Sequence, residues 1–325
     1  MRIPPALAER GIDRVHAWSI PMTTRFRGIT ERDGLLLHGP AGWSELSPFW
    51  DYVAAESATW LRAALADATE ERPDPLREEI EVNATIPVVP AVLAHRIATV
   101  GGARTAKVKV ADPASTLAED AERLEAVRDA LGPDAQLRID ANAAWSLEQA
   151  QEALPVLERA AGGLEYAEQP CASLEDLAVL RRTLGIRIAA DESVRRAEDP
   201  LRVARAEAAD VLVMKVQPLG GVRRCLELAE QAGLPVVVSS ALESSVGLSA
   251  GLALAAALPE LPHASGLATA TLLTGDLVEE PLRAQGGMLP VARPEPAPAL
   301  LERHAAPAEL EARWARRLED CAAHL

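Results

Sequence analysis

Residues 211–221 read Val-Leu-Val-Met-Lys-Val-Gln-Pro-Leu-Gly-Gly. The run Val211–Val216 is apolar apart from one lysine and lacks the alternation of a strand with one face in water. Continuous runs of this kind mark strands covered on both faces, the condition of a parallel sheet flanked by helices. Comparable short segments stand at Ala84–Val89, Ala106–Val110, Leu137–Ala141, Leu164–Glu168, Ile186–Asp191, Pro235–Ser240 and His263–Leu267. Helical patterns rich in Ala, Leu, Glu and Arg lie between most of them, as at Ser115–Leu131 and Ser146–Ala160. The first crossover, Pro90–Gly101, is short, and its helix is expected to be abbreviated. Eight strand-like segments alternating with helices predict a barrel rather than an open sheet.

Outside this rhythm the pattern changes. Arg14–Thr24 and Gly34–His38 alternate like antiparallel strands, Gly42–Ser47 reads as a third, and Asp51–Thr69 as a helix. The charged stretch Thr24–Gly34 reads either as a mobile loop able to close over the barrel mouth or as a plain solvated hairpin. After residue 285 a proline-rich run precedes a charged helix, with no strand signal. The expected organisation is an α+β capping domain over 1–82, a (β/α)7β barrel of the TIM type over 83–285, and a tail over 286–325 that packs back on the capping domain.

Charge and composition narrow the function. A formal net charge of −15 without any Lys/Arg-rich run argues against nucleic acid or an anionic membrane surface as a partner. The longest apolar run, Leu248–Leu258, is too short for a bilayer, and the N-terminal residues lack the apolar core of a signal peptide. Cys171, Cys225 and Cys321 are widely spaced and form no metal-finger or CxxC pattern. A cytoplasmic protein acting on a small molecule, monomeric or a small homo-oligomer, is expected.

Of 33 basic residues only three are lysine: Lys107, Lys109 and Lys215. Arginine serves every surface role in this chain, so lysine is kept where a basic group must be able to lose its proton. The other charges at strand ends complete the pattern. Lys107 and Lys109 are two apart and share one face of their strand. Asp140, Glu168 and Asp191 close the next three strands, and Lys215 the sixth. From Lys109 the separations are 31, 28, 23 and 24 residues, one βα unit each, which sets all five groups at similar height around one mouth. A lone carboxylate at a strand end usually caps a helix, and a structural ring of five charges is the alternative here. Burying that many charges for structure alone is costly where apolar packing serves as well. Three carboxylates crowd together when a cation joins them, and all-oxygen ligands favour Mg²⁺, with Mn²⁺ as the substitute.

At these residues the sequence resembles the enolase superfamily, in its muconate-lactonizing-enzyme subgroup. The shared pattern is Lys107-Val108-Lys109 as KxK, Asp140 in DxN, Glu168 in EQP, Asp191 in DES, and Lys215 in KxxxxGG. The resemblance covers the whole chain, capping domain included. It implies that Asp140, Glu168 and Asp191 hold the metal and that Lys109 and Lys215 are the acid/base pair. Within the subgroup, GWSELSPFWDY, SSALESSVG and HASGLATATLL point to the branch that dehydrates a succinylated cyclohexadiene carboxylate in menaquinone biosynthesis. There Lys109 would take the α-proton and return it to the departing hydroxyl on the same face, the metal would stabilise the enediolate, and Lys215 would remain charged opposite. Lys107 and Asn142 read as supporting groups, and Ser239, Ser240 and Gly266 as substrate-side ones, with capping of the following helix the alternative role for the two serines. Ser265-Gly266-Leu267 stands where dipeptide epimerases carry Asp-x-Asp, which counts against that activity. An N-succinylamino acid racemase shares every catalytic residue and is the first alternative; a carboxylate-binding barrel without catalysis is the second. Gly247–Gly251 fits GxSxG, but its serine opens an apolar helix instead of ending a strand, so hydrolase chemistry is not indicated.

Overall fold

A computed structural model of the chain describes residues 1–196 and 199–325. After a single helical turn, α1 (Pro5–Ala8), strands β1 (Arg14–Phe26), β2 (Ile29–Gly39) and β3 (Gly42–Leu46) form an antiparallel sheet in chain order. Helix α2 (Ala54–Thr69) covers it, and Trp18, Leu35, Leu36 and Trp60 are buried in one core. Gly34 lies opposite Trp18 because a Cβ there would sit 2.7 Å from Ser47 Cβ and 3.0 Å from the Trp18 ring. The stretch Thr24–Gly34 is a continued β-hairpin instead of a loop: Phe26 pairs with Ile29, and Arg27 and Gly28 turn the chain with φ of 51° and 80°. Positive φ at both central residues matches the twist of a two-residue hairpin.

A parallel sheet of seven strands follows, built from β5 (Ala84–Ile86), β6 (Thr105–Lys109), β7 (Gln136–Asp140), β8 (Tyr166–Glu168), β9 (Ile188–Ala190), β10 (Val211–Met214) and β11 (Val236–Val238), hydrogen-bonded in that order; β4 (Glu79–Glu81) precedes them. The ring closes at the eighth position with two residues only. Ser265 N donates to Glu81 O at 2.7 Å and Gly266 N to Val238 O at 2.8 Å. The full strand expected at His263–Leu267 is therefore reduced to bridges: Pro262 has no N–H to extend pairing backwards, and residues 268–272 turn into a 3₁₀ helix.

Helices α3 (Ala91–Ala98), α4 (Leu117–Leu131), α5 (Leu147–Ala161), α6 (Leu174–Thr183), α7 (Glu192–Arg195), α8 (Arg202–Arg205), α9 (Val216–Leu219), α10 (Val222–Ala232) and α11 (Ser245–Ala257) connect the strands. Thr116 and Ser146 cap α4 and α5 in reciprocal boxes with Glu119 and Gln149, which fixes where each helix starts after its loop. Val108, Leu137, Ile139 and Leu212 face the helices in one core. Tyr166, Ala189, Val211, Val213 and Val237, one residue out of phase, fill the barrel interior. The tail contributes a strand that its sequence does not signal, β12 (Met288–Pro290), paired antiparallel with β4. Its proline occupies the last position, where pairing ends. Helices α12 (Pro298–Arg303) and α13 (Ala308–Ala322) follow, and Trp314, Leu318 and Cys321 join the core of Trp18 and Leu35. Among the described residues no helix is long and apolar enough to cross a membrane.

Candidate active site

Strand periodicity and register stack the inward side chains in two levels. Lys107 pairs with Arg138 and Arg138 with Tyr166; two residues further on, Lys109 pairs with Asp140 and Asp140 with Glu168. Asp191 and Lys215 stand one residue beyond β9 and β10, on the same inward phase. All five groups meet at the C-terminal mouth of the barrel, the end from which such barrels work. Lys109 and Lys215, carried by strands four places apart in the sheet, line one cavity together with Lys107, Asp140 and Asn142. Ser239, Ser240 and Gly266 form its opposite wall, and Phe26 and Arg27 of the hairpin tip lie over it. A Cβ on Gly266 would meet Ser239 Oγ at 2.7 Å, so only glycine lets the eighth segment approach the seventh this closely. Ser240 is held by Thr269, Oγ to Oγ1 at 2.6 Å.

The charges are paired tightly. Lys107 Nζ donates to both Glu168 oxygens, at 2.9 and 2.8 Å, and lies 3.5 Å from Asp140 Oδ2. Lys109 Nζ donates to Asp140 Oδ2 and to Asn142 Oδ1, the latter at 2.7 Å. Asp191 is divided between two cations, with Arg195 Nε on Oδ1 at 2.9 Å and Lys215 Nζ on Oδ2 at 2.6 Å. Burial opposes ionisation of Asp140, but Lys109 and Lys107 hold it well below the usual carboxylate range. Asp191 is likewise low, with burial outweighed by Arg195 and Lys215. Glu168 behaves differently: burial and the adjoining Asp140 charge push it up to about 7. Burial alone would neutralise Lys107, yet Glu168 and Asp140 keep it protonated, whereas burial lowers Lys215 below the ordinary lysine value.

Three carboxylates with at most 1% exposure stand on adjoining strand ends and, as all-oxygen donors, could hold a hard divalent cation. Among the described residues no three such side chains are already gathered as ligands around one point; an ammonium, that of Lys107, bridges Asp140 and Glu168 instead.

Other residues at the mouth carry weaker sequence signals or none. Gln169, inside EQP, turns with φ of 38°; its Oε1 accepts Asp191 N at 3.0 Å and Ser193 N at 3.2 Å, locking two strand ends together. Arg195 is legible only as one helical turn after Asp191. Phe26, whose ring lies 5.3 Å from Lys109 Nζ, comes from the stretch expected, on one reading, to close over the mouth, whereas no local pattern marks Tyr52, whose hydroxyl accepts from Arg195 Nη1, as a residue that reaches the barrel.

Comparison with known proteins agrees with this geometry. The family described as enolase C-terminal domain-like matches residues 91–297, and enolase N-terminal domain-like matches 17–68. An o-succinylbenzoate synthase of Thermobifida fusca is 54% identical over 303 residues, 93% of this chain and 94% of that protein. One from Mycolicibacterium smegmatis is 50% identical, covering 96% of each. The chain belongs to the enolase superfamily, on its o-succinylbenzoate synthase branch. Solved structures share the fold of this superfamily: 2-chloromuconate cycloisomerase from Rhodococcus opacus 1CP has a TM-score of 0.77 at 22% identity, covering 91% of this chain and all of that one. A muconate lactonizing enzyme from Pseudomonas fluorescens gives 0.77 at 21%, covering 91% and 99%. Enzymes of the superfamily depend in general on a divalent metal, in keeping with the donor set described above.

Proposed function

We propose that the chain carries out syn-dehydration of the cyclohexadiene carboxylate SHCHC to o-succinylbenzoate, in the cytoplasm, with Mg²⁺ as its metal and Mn²⁺ able to replace it. The observation that carries this reading is the pair of lysines, Lys109 and Lys215, reaching one cavity from opposite sides of a ring that also holds three buried carboxylates. Near-full-length identity of 54% and 50% to o-succinylbenzoate synthases supports the substrate. Asp140, Glu168 and Asp191 hold the cation. The bound cation supplies a fixed positive charge to the substrate carboxylate and to the negative charge that grows when the α-proton leaves.

Lys109 Nζ, in its free-base form, takes the α-proton. The resulting ammonium faces the same side of the ring and gives that proton to the departing hydroxyl. One C–H and one C–O bond break, water leaves, and the ring becomes aromatic. Lys215 stays cationic on the far side and stabilises the delocalised charge. Lys107 keeps Glu168 in place and lends positive potential to Lys109. Asn142 orients Lys109 through its 2.7 Å hydrogen bond. Ser239, Ser240 and Gly266 shape the wall that receives the substrate. In this reading 1–82 and the tail 286–325 cap the catalytic barrel of 83–285, and the protein works as a monomer or small homo-oligomer on a small carboxylate.

The test is turnover of SHCHC with Mg²⁺ by wild type, Lys109→Arg and Lys215→Arg. Arginine retains the charge and removes the usable base. Loss of about 10³-fold or more in kcat for Lys109→Arg, with Lys215→Arg partly active, is expected. A wild type that leaves SHCHC untouched but exchanges deuterium into the α-position of N-succinylamino acids, through both lysines, would move the function to racemisation.

A further inference from the structure

We infer that Arg195 and Tyr52 form a positioning pair that presents Asp191 to the divalent cation and makes tight cation binding depend on the seating of the N-terminal sheet unit. The inference rests on Asp191 being a cation ligand, as proposed above.

Asp191 is fully buried, and each of its oxygens meets one cation. Oδ2 faces Lys215, a group that the reaction needs for itself. Among the described residues Oδ1 has Arg195 Nε as its hydrogen-bond donor, at 2.9 Å. Without Arg195 this oxygen would be a buried acceptor with no partner, and the carboxylate would be free to turn about its Cβ–Cγ bond. Arg195 sits one turn along α7, and its backbone N–H donates to Asp191 O at 3.0 Å, so main chain and side chain fix the same turn.

The guanidinium is itself anchored from outside the barrel. Nη1 donates to the Tyr52 hydroxyl and Nη2 to Glu192 Oε1. Tyr52 lies between β3 and α2, 4% exposed, with the Arg196 guanidinium 4.3 Å from its ring centroid and Trp60 at its edge, 5.3 Å away. Arg196 is tied to the same unit through Asp51 at 3.1 Å. A planar guanidinium with Nε and Nη1 both engaged has one orientation, and a lysine at 195 could satisfy only one of the two partners. The chain Tyr52–Arg195–Asp191 therefore carries the position of the N-terminal unit to a ligand oxygen in the barrel.

Groups that orient a metal ligand from behind are typically worth 10- to 100-fold in metal affinity. The test is binding of Mn²⁺, followed by the electron spin resonance of the free ion, to metal-free wild type, Tyr52→Phe, Arg195→Gln, Arg195→Lys and Asp191→Asn. Tyr52→Phe keeps the ring and its packing and removes one oxygen, so its melting temperature should stay close to wild type. About tenfold weaker binding is expected for Tyr52→Phe, and at least that for Arg195→Gln, with only partial recovery in Arg195→Lys. Wild-type Mn²⁺ affinity in Tyr52→Phe, while Asp191→Asn loses binding, overturns the pairing. Wild-type affinity in Asp191→Asn overturns the ligand assignment beneath it. Should Arg195→Gln fail to fold, Tyr52→Phe alone decides.

Discussion

Lysine is so scarce in this chain that each one is informative. Lys107, Lys109 and Lys215 are all buried or nearly so, and all three reach the same five-charge constellation. Another buried cation, Arg138, follows different logic. It lies on the level beneath, bonded to Glu165 Oε2 at 2.6 Å, to Asn83 Oδ1 at 3.1 Å and to Ala264 O at 2.7 Å, with its guanidinium 4.7 Å from the Tyr166 ring centroid. It ties β7 to both sides of the Val82–Ser265 bridge, so its role is structural. Arg138→Leu should cost about 3 kcal/mol of stability, because Glu165 keeps only His263 and loses its charged partner. Chemical denaturation with an unchanged m-value would measure it; a loss below about 1 kcal/mol would contradict the assignment.

Single elements show how local rules and tertiary demands meet. In α4, Thr116 Oγ1 accepts from Glu119 N at 3.3 Å and the Glu119 carboxylate accepts from Thr116 N at 2.7 Å. Thr116→Ala should lower stability by about 1 kcal/mol without touching turnover, a difference that thermal unfolding and an activity assay separate. In α11 the constraint comes from outside the helix. A Cβ on Gly247 would fall 2.6 Å from Glu243 Cβ and 2.9 Å from Glu45 Cδ. Gly247→Ala is a favourable change by helix propensity alone, yet it should destabilise by about 1–3 kcal/mol through overpacking. A more stable Gly247→Ala protein in the same unfolding assay would show that this contact yields.

For the whole molecule the seam between the N-terminal sheet unit and the barrel matters most. Arg32 crosses it, donating to the carbonyls of Leu242 at 3.0 Å and Ala241 at 3.1 Å beside the cavity wall, and stacks on Phe49 at 4.5 Å. Two buried acids, Glu45 and Glu243, meet at the same seam. Burial and the Glu243 carboxylate push Glu45 up to about 8. The folded protein thus holds a proton that the unfolded chain releases near 4.5, so the stabilisation is complete below that pH and is lost as pH rises through about 8. The melting temperature should fall between pH 6 and pH 9. Glu168 acts in the same sense, so the informative comparison is Glu45→Gln, whose fall should be smaller than that of wild type; an identical pH profile would remove Glu45 from this account. Saturating Mg²⁺ should raise the melting temperature of wild type and leave that of an Asp140→Asn, Glu168→Gln, Asp191→Asn triple variant unmoved, because a ligand stabilises only the form that binds it.

Much of this protein is written along the chain. Apolar runs two-faced enough for a parallel sheet, such as Val211–Val216, together with capping residues at helix starts, determined the βα rhythm, because those signals are local. The spacing of Lys109, Asp140, Glu168, Asp191 and Lys215 by one unit each placed them at one mouth, because a barrel converts sequence period into spatial height. The tertiary structure alone decided the rest. The eighth strand shrank to two bridges, and β12 arose by pairing with a distant partner. Tyr52 reached a residue 143 positions away through a single hydroxyl. Contacts of that kind depend on which surfaces the closed ring and its covering unit bring together, and no window of neighbouring residues contains that information.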